Sequence, residues 1–185
     1  MKHRYQKRLL PNSVALWSIQ DPDAPSRLRR DGRLRADGRY VGSDFRPAYQ
    51  WLVGELVARI GPPPRGVRYP IWAWVEEPSP DKVVESLGGR ACALLELEVD
   101  PARVARTDFM RWHSVLNNNH LDLSEAEFEA MGHADEAAVR ASWQRVFDLD
   151  TPRDPEWELE TPVVQACLWE VRPADVRQVT QFAAR

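Results

Sequence analysis

Length, composition and charge place this chain among globular proteins of ordinary size. It has 185 residues, of which 43% are hydrophobic and 29% charged, and its net charge is −3. This balance excludes a disordered chain, and the acidic net charge excludes a protein whose whole surface binds nucleic acid. No apolar run approaches the roughly 18 residues of a membrane span, and no apolar segment follows the basic first residues. We therefore expect neither a membrane span nor a secretory signal.

The two cysteines and the charge distribution indicate how the chain is organised. Cys92 and Cys167 each lie in an apolar run, which predicts small buried side chains in a reducing cytoplasm rather than a disulfide. Residues 1–46 carry 11 Lys and Arg against 5 Asp and Glu, so basic charge is concentrated near the amino terminus. We predict a basic extension over residues 1–13 and a single α+β domain over residues 14–185.

The first half of the chain predicts one strand and two helices. Residues 14–20 have the composition of a strand, and a short helix follows from Asp23 to Arg30. A longer helix is capped by Asp44 and ends at Gly61, which is followed by three prolines. Its apolar face is formed by residues spaced three or four apart, namely Phe45, Tyr49, Leu52, Leu56 and Ile60.

The second half alternates strands and helices without the regular order of a parallel sheet. Strands are predicted over residues 68–76, 92–99 and 163–171, and residues 175–182 form either a strand or a helical turn. Helices are predicted from a cap at Thr107 or Asp108 through Leu116, after a capping box at Ser124 and Glu127, and over residues 135–147. The prolines and acids of residues 148–162 indicate a loop. This order predicts an α+β fold with split small sheets flanked by helices.

The familiar catalytic and metal-binding motifs are missing from the chain. It has no phosphate-binding loop, no paired-cysteine motif, no zinc-protease helix and no nucleophile elbow. His113, His120 and Asp122 resemble a set of metal ligands, but the three asparagines before His120 interrupt the helix that would align them. We therefore predict no metal site.

One acidic residue occupies an unusual position at the end of the strand predicted over residues 163–171. Val164, Ala166, Leu168 and Glu170 share a face, so Glu170 ends an apolar row. Either the strand end frays and exposes the carboxylate to solvent, or the carboxylate lines a cleft. In a cleft it would orient a sugar hydroxyl and stabilise a positive ribosyl centre.

Aromatic and basic residues supply the remaining candidates for a binding site. Trp72 and Trp74, two of eight tryptophans, lie two apart on one strand and either cover a helix or form a stacking wall for a flat ring. The basic edge, which we define as six arginines near the first helix, is either a solvated surface or a phosphate-binding edge. His113 is either structural or a hydrogen-bond donor or base beside the cleft. The six arginines are Arg27, Arg29, Arg30, Arg33, Arg35 and Arg39.

Several segments together resemble an uncharacterised bacterial family, a domain of unknown function numbered thirty-eight forty-one in its series. The resemblance covers residues 14 to 183, and Pro70-Ile71-Trp72-Ala73-Trp74 is its most specific part. The other segments are Leu16-Trp17-Ser18-Ile19-Gln20, Leu28 to Leu34, Phe45-Arg46-Pro47-Ala48-Tyr49-Gln50-Trp51, Asp108-Phe109 with Trp112-His113 and Val115-Leu116-Asn117, and Gln165 with Leu168-Trp169-Glu170.

The order of elements also resembles the ADP-ribosyltransferase fold, in which NAD lies in a cleft between two small sheets. This resemblance implies that Ser18 and Gln20 hold NAD and that Trp72 or Trp74 stacks on nicotinamide. It implies that Glu170 stabilises the transition state. With the pattern above, the candidate cofactor-binding residues are Ser18, Gln20, Arg27, Tyr49, Trp72 and Trp74, and the candidate catalytic residues are Glu170 and His113.

These resemblances lead to one enzymatic hypothesis and two alternatives. As an enzyme, the protein would transfer ADP-ribose from NAD to a protein or nucleic-acid acceptor. As a binding module, it would hold a nucleotide or RNA without chemistry. As an interaction protein, for instance in a toxin or defence pair, its tryptophans would form a partner surface.

Overall fold

A computed structural model describes residues 2–4, 12–86, 88–132 and 135–184 of the chain. Its strands are β1 (Lys2–Arg4), β2 (Val14–Gln20), β3 (Ile71–Trp74), β4 (Cys92–Val99), β5 (Ala105–Asp108), β6 (Val164–Leu168) and β7 (Val176–Phe182). Its helices are α1 (Ala24–Asp31), α2 (Arg46–Ile60), α3 (Pro80–Ser86), α4 (Phe109–Leu116), α5 (Glu125–Met131) and α6 (Glu136–Ser142).

Within the described residues, the seven strands form one sheet in the order β1-β7-β4-β2-β3-β6-β5. The pairs β1–β7, β7–β4, β4–β2 and β2–β3 are antiparallel. The α+β class is confirmed, but the expectation of split small sheets is wrong. The reason is that β2 pairs with β4 on one side and with β3 on the other, which joins the early and late strands into a single sheet.

One face of the sheet packs on α1 and forms the main hydrophobic core. Alternate residues of neighbouring strands point to this face, because successive side chains of a strand point to opposite sides. Leu16, Ile71, Leu95 and Leu168 are buried there together with Leu28 of α1. The opposite face carries the other half of each strand, and it holds the candidate site described below.

The element boundaries agree with the sequence patterns where the signals are strongest. β2 and β4 have the predicted limits, Asp108 caps α4 by accepting a hydrogen bond from the Arg111 backbone N–H, and residues 176–182 form a strand. Ser124 Oγ accepts a hydrogen bond from the Glu127 N–H at the start of α5. α2 ends before Gly61, whose φ of 79° is the left-handed conformation that glycine accepts most easily.

Other boundaries differ from the predictions. β3 and β6 are shorter than predicted, and the predicted helix over residues 135–147 continues beyond Ser142 as a 3-10 turn. Asp44 lies inside a 3-10 turn over Ser43–Phe45, where its carboxylate accepts a hydrogen bond from the Ser43 hydroxyl. The sequence patterns did not predict α3 and β5.

The contacts within the described chain divide it into two compact units. The first comprises residues 1–40, 53–105 and 166–185, and the second comprises residues 41–52 and 106–165. In the predicted basic extension, β1 pairs with β7, whereas residues 1 and 5–11 lie outside the described residues. The thiols of Cys92 and Cys167 are free and buried as predicted, and burial raises the pKa of both. Among the described helices, none combines the length and apolarity that crossing a bilayer requires.

Candidate functional site

A straight row of side chains crosses four neighbouring strands on the sheet face opposite α1. Trp17 of β2 pairs directly with Trp74 of β3 on one side and with Glu96 of β4 on the other. Glu96 in turn pairs with Gln178 of β7. Residues that pair directly in antiparallel strands share a face, so these four side chains lie side by side. We call this set of four residues the tryptophan–glutamate row.

The row is half-buried, and one of its two middle residues packs against an apolar cluster. Each of its four residues is intermediate in exposure, neither sealed in the core nor free in solvent. Trp17 packs against a small apolar cluster that includes Val83 of α3. Trp72 lies two residues before Trp74 and is half-buried on the same face. The pair predicted at Trp72 and Trp74 therefore joins a third indole, from β2.

Carboxylates lie on and beside this face. Among the residues that the structure describes, no hydrogen-bond donor or cation pairs with the carboxylate of Glu96. Glu98, two residues along β4, is paired with Arg177 and also accepts a hydrogen bond from Ser13. Glu76, exposed, follows β3 closely. A half-buried carboxylate beside indole faces favours a positively charged group as its partner.

Ser18 connects β2 to β3 by a hydrogen bond, and Gln20 is hydrogen-bonded to Ser18. Ser18 is fully buried, and its hydroxyl donates a hydrogen bond of 2.7 Å to the backbone oxygen of Trp72. The Gln20 side-chain amide donates to the Ser18 hydroxyl at 2.8 Å. These bonds place both residues beside the strand that carries Trp72 and Trp74. The Ser18 side chain points away from the tryptophan–glutamate row, because it alternates with Trp17 along β2.

Glu170 lies beyond the end of β6 and is neither frayed into solvent nor unpaired. The side chain is 10% exposed, and Arg35 and Arg172 hold its two carboxylate oxygens at 3.3 and 3.2 Å. Burial raises the pKa of this carboxyl, but the hydrogen bonds from Arg172 and Arg35 outweigh burial and lower the pKa overall. Glu170 is therefore an ionised group whose charge is already balanced by two guanidinium groups.

A second acidic residue extends this ion-pair network. Arg103 donates to both carboxylate oxygens of Asp175, at 2.7 and 3.0 Å, and also to the backbone oxygen of Glu170 at 3.0 Å. The carboxylate of Asp175 accepts a further hydrogen bond from the backbone N–H of Arg172. The network fixes the turn between β6 and β7, which favours a structural role for Glu170.

Local acidic partners neutralise much of the predicted basic edge. Arg27 lies 3.3 Å from Asp23 and 3.5 Å from Asp21, so its guanidinium is paired within the first unit. Three other arginines of the basic edge are each paired with an acid. The pairs are Arg30 with Asp31, Arg39 with Asp37, and Arg35 with Glu170. This pairing reduces the positive charge that the edge offers to phosphate groups.

Tyr49 and His113 belong to the second compact unit. The ring of Tyr49 packs edge-on against Trp112, with centroids 5.4 Å apart. His113 is exposed on α4, where its Nδ1 lies 2.8 Å from the backbone oxygen of Phe109 and its ring contacts the Phe109 ring. These contacts favour packing roles, and the proposed roles of the two residues at a cofactor stay predictions.

A further group of polar side chains lies within the second unit. His120 Nδ1 is 2.7 Å from Asp122 Oδ1, although three asparagines precede His120 in the sequence. Each of His120, Asp122 and Glu127 offers a ligand atom, and these atoms all lie within 4.8 Å of one another. His120 and Asp122 also line a cavity of about 740 Å³.

The sequence patterns did not predict two features of these sites. The first is Glu96, whose signal was the alternation of Leu94, Glu96 and Glu98 on one face of β4. The second is the approach of Glu127 to His120 and Asp122, which depends on how α5 begins and has no local sequence signal.

Comparison with known proteins identifies a family without assigning an activity. A model of the family described as "Domain of unknown function (DUF3841)" matches residues 15–177. No curated protein and no solved structure matches the chain. The family match spans most of the 185 residues and includes β2 except its first residue and all of β3, β4, β5 and β6. The chain therefore belongs to the DUF3841 family of domains of unknown function.

Proposed function

We propose that this protein binds a nucleotide through a flat, positively charged ring, and that NAD is this nucleotide. The observation that carries the proposal is the tryptophan–glutamate row. It offers indole faces and an unpaired carboxylate, Glu96, on one half-buried surface. The oxidised nicotinamide ring is flat and cationic, so it suits both the indoles and the acid. A cationic ring over a Trp face gains about 0.5–2 kcal/mol.

The charge of this surface favours a cationic ring over an RNA strand. Single-stranded RNA also stacks on aromatic side chains, but its phosphates need cations along the groove. Here the carboxylate of Glu96 lies on the face and the exposed Glu76 lies beside it, whereas Arg177 already balances the charge of Glu98. A phosphate backbone would meet carboxylates next to the stacking surface, and the resulting repulsion would weaken binding.

ADP-ribosyl transfer is the reaction that such a complex would support. The bond between C1′ of the ribose and the nicotinamide nitrogen breaks, and its electron pair stays on nicotinamide, which leaves as a neutral ring. The acceptor forms a new bond to C1′ and releases its proton to solvent. A carboxylate that stabilises the positive C1′ centre accelerates this step.

Glu96 fits the role of that carboxylate better than Glu170. Two arginines balance the charge of Glu170, so its carboxylate would stabilise a developing positive charge only weakly. Glu96 has no such partner among the described residues and lies directly beside Trp17. Because a carboxylate beside a ring also improves binding alone, the non-catalytic binding module is the alternative within this proposal.

Ligand binding tests the proposal directly. NAD is titrated into the full chain by calorimetry, with nicotinamide mononucleotide and ADP-ribose as comparison ligands. The expected result is that NAD and nicotinamide mononucleotide bind and that ADP-ribose, which lacks the cationic ring, binds about 2- to 30-fold more weakly. Equal binding of NAD and ADP-ribose, or an unchanged melting temperature at millimolar NAD, would contradict the proposal.

Two substitutions test whether NAD binds at the tryptophan–glutamate row. Trp74→Ala and Glu96→Gln each raise the Kd for NAD about 2- to 30-fold, since each removes one favourable interaction with the cationic ring. Glu136→Gln removes one negative charge from an exposed site in the second unit and serves as the matched control with unchanged Kd. An NAD affinity that is insensitive to both row substitutions places the ligand elsewhere.

Nicotinamide release separates the enzyme from the binding module. The assay incubates the protein with NAD and follows free nicotinamide by chromatography, with water as the simplest acceptor. Release that is lost in Glu96→Gln supports the enzyme. Binding without release supports the module, and release that survives Glu96→Gln but not Glu170→Gln would restore the catalytic role to Glu170.

A further inference from the structure

The second compact unit holds a group of potential metal ligands on one side of a cavity. His120 and Asp122 lie on the segment between α4 and α5, and Glu127 lies in the first turn of α5. Their ligand atoms are within 4.8 Å of one another. The side chains of His120 and Asp122 are only 12% and 9% exposed, so they are shielded from bulk water.

Hydrogen bonds hold these three side chains in place. The His120 ring contacts Asp122 at 2.7 Å, and the backbone oxygen of Asp122 accepts a hydrogen bond from the Trp157 indole. Glu127 Oε2 accepts a hydrogen bond from the Leu123 N–H at 2.9 Å. Because the ligands are already oriented, binding of an ion would cost little conformational entropy.

We propose that His120, Asp122 and Glu127 form a binding site for a divalent transition-metal ion of the Zn²⁺ type. One imidazole nitrogen and two carboxylates are a donor set that Zn²⁺ accepts. Zinc bonds of about 2.0–2.2 Å in tetrahedral geometry place neighbouring ligand atoms about 3.3 Å apart. His120 Nδ1 and Asp122 Oδ1 are 2.7 Å apart and all the ligand atoms lie within 4.8 Å, so side-chain rotations, with the ring proton of His120 moved from Nδ1 to Nε2, complete the site. Three protein ligands leave a fourth position open.

Arg145 is the resident cation that the metal ion would replace. Its guanidinium lies 2.6 Å from Glu127 Oε1 and also donates to the backbone oxygen of Leu121. A bound dication and the guanidinium repel each other, so the two compete for Glu127.

The cavity indicates what the open position would face. Its volume is about 740 Å³, and Ser114, Asn118 and Asn119 contribute polar atoms to its wall. A small polar molecule or a water molecule on the metal ion can therefore contact hydroxyl and amide groups. The site lies entirely within the second unit and is independent of the proposed nucleotide binding.

Metal titration of the full chain tests this inference. After dialysis against a chelator, Zn²⁺ is titrated by calorimetry, and Co²⁺ is titrated by visible absorption, which reports tetrahedral coordination. The expected result is one strongly bound equivalent that raises the melting temperature. His120→Ala and Asp122→Asn each weaken this equivalent at least about 10-fold. Circular dichroism without metal shows that the two variants are folded.

Two further variants make the test specific. His113→Ala removes an exposed histidine of the same unit and leaves the affinity unchanged. Arg145→Gln removes the competing cation and tightens Zn²⁺ binding about 3- to 10-fold. The inference is overturned if wild type and Asp122→Asn bind Zn²⁺ equally, or if the wild-type chain binds no equivalent. It is also overturned if Arg145→Gln binds Zn²⁺ more weakly.

Discussion

The surroundings of individual carboxylates decide what each can do. Glu96, inside β4, and Glu170, two residues beyond β6, are the same residue type next to apolar strand residues, yet their partners differ. Two arginines hold Glu170, whereas Glu96 has no partner among the described residues and lies beside Trp17. Only the pairing partners distinguish a structural carboxylate from one that is available to a ligand, and these partners come from distant parts of the chain.

The ion pairs of Glu170 predict how stability depends on pH. Its pKa is lowered in the folded protein, against about 4.3 in the unfolded chain, so its contribution is complete well above pH 4.3. That contribution is lost as the pH falls through the lowered folded value. We expect Glu170→Gln to be less stable than wild type at pH 7, with a difference that shrinks towards pH 3. Urea denaturation at several pH values measures this difference.

The matched control for this pH dependence is Glu136→Gln. Glu136 is exposed and is paired with Arg140 on the surface of α6. Its substitution leaves the pH profile close to that of wild type, because water screens such a pair. A constant difference between Glu170→Gln and wild type from pH 7 to pH 3 would contradict the assigned role of the ion pairs.

At the scale of elements, local signals determine where helices end, and helix α2 illustrates this. Gly61 follows its last residue, Ile60, with φ 79°, and the three prolines that come next prevent continuation. Gly54 lies exposed inside the same helix, where an added Cβ would meet no atom within 4 Å. The same residue type is therefore required at one position and unfavourable at the other.

Substituting these two glycines by alanine is expected to change the stability of the protein in opposite directions. Gly61→Ala destabilises the protein by about 1–2 kcal/mol, because alanine is strained at positive φ. Gly54→Ala stabilises it by about 0.5–1 kcal/mol, since alanine loses less backbone entropy in a helix. Thermal unfolding of both variants beside wild type measures the difference. Two shifts of the same sign would contradict these backbone assignments.

At the scale of the whole molecule, buried ion pairs hold long loops that lack regular structure. In the second unit, Arg111 is 2% exposed and makes two bonds of 2.7 Å to Glu158, and it also donates to the backbone oxygens of Arg145 and Asp148. The hydrogen bonds that Arg111 donates to the Glu158 carboxylate raise the pKa of Arg111. The Arg111 side chain therefore connects the predicted loop over residues 148–162 to α4.

Removing Arg111 should destabilise the fold strongly. Arg111→Met leaves the carboxylate of Glu158 and two carbonyl groups without their donor in a buried site, which costs about 3–5 kcal/mol. Urea denaturation measures the loss, and limited proteolysis reports earlier cleavage within residues 148–162. Arg30→Met, which breaks an exposed pair with Asp31, is the control with nearly unchanged stability. Equal stability of the two variants would contradict the role of Arg111.

The sequence by itself determined the local features of this protein. The limits of β2 and β4, the caps at Asp108 and Ser124, the end of α2 and the burial of Cys92 follow from residue patterns within a few positions. These features depend on alternation, on capping hydrogen bonds and on the φ angles that glycine and proline permit, all of which act between near neighbours.

Only the tertiary structure decided which distant residues meet. Strand order joined the predicted small sheets into one, and register placed Trp17 between Trp74 and Glu96. It also paired Glu170 with Arg35, which lies 135 residues away in the chain. Such contacts depend on the packing of the whole chain, and no short segment carries enough energy to specify them. For that reason, the candidate acid could be assigned only after the folded chain showed which carboxylate was left unpaired.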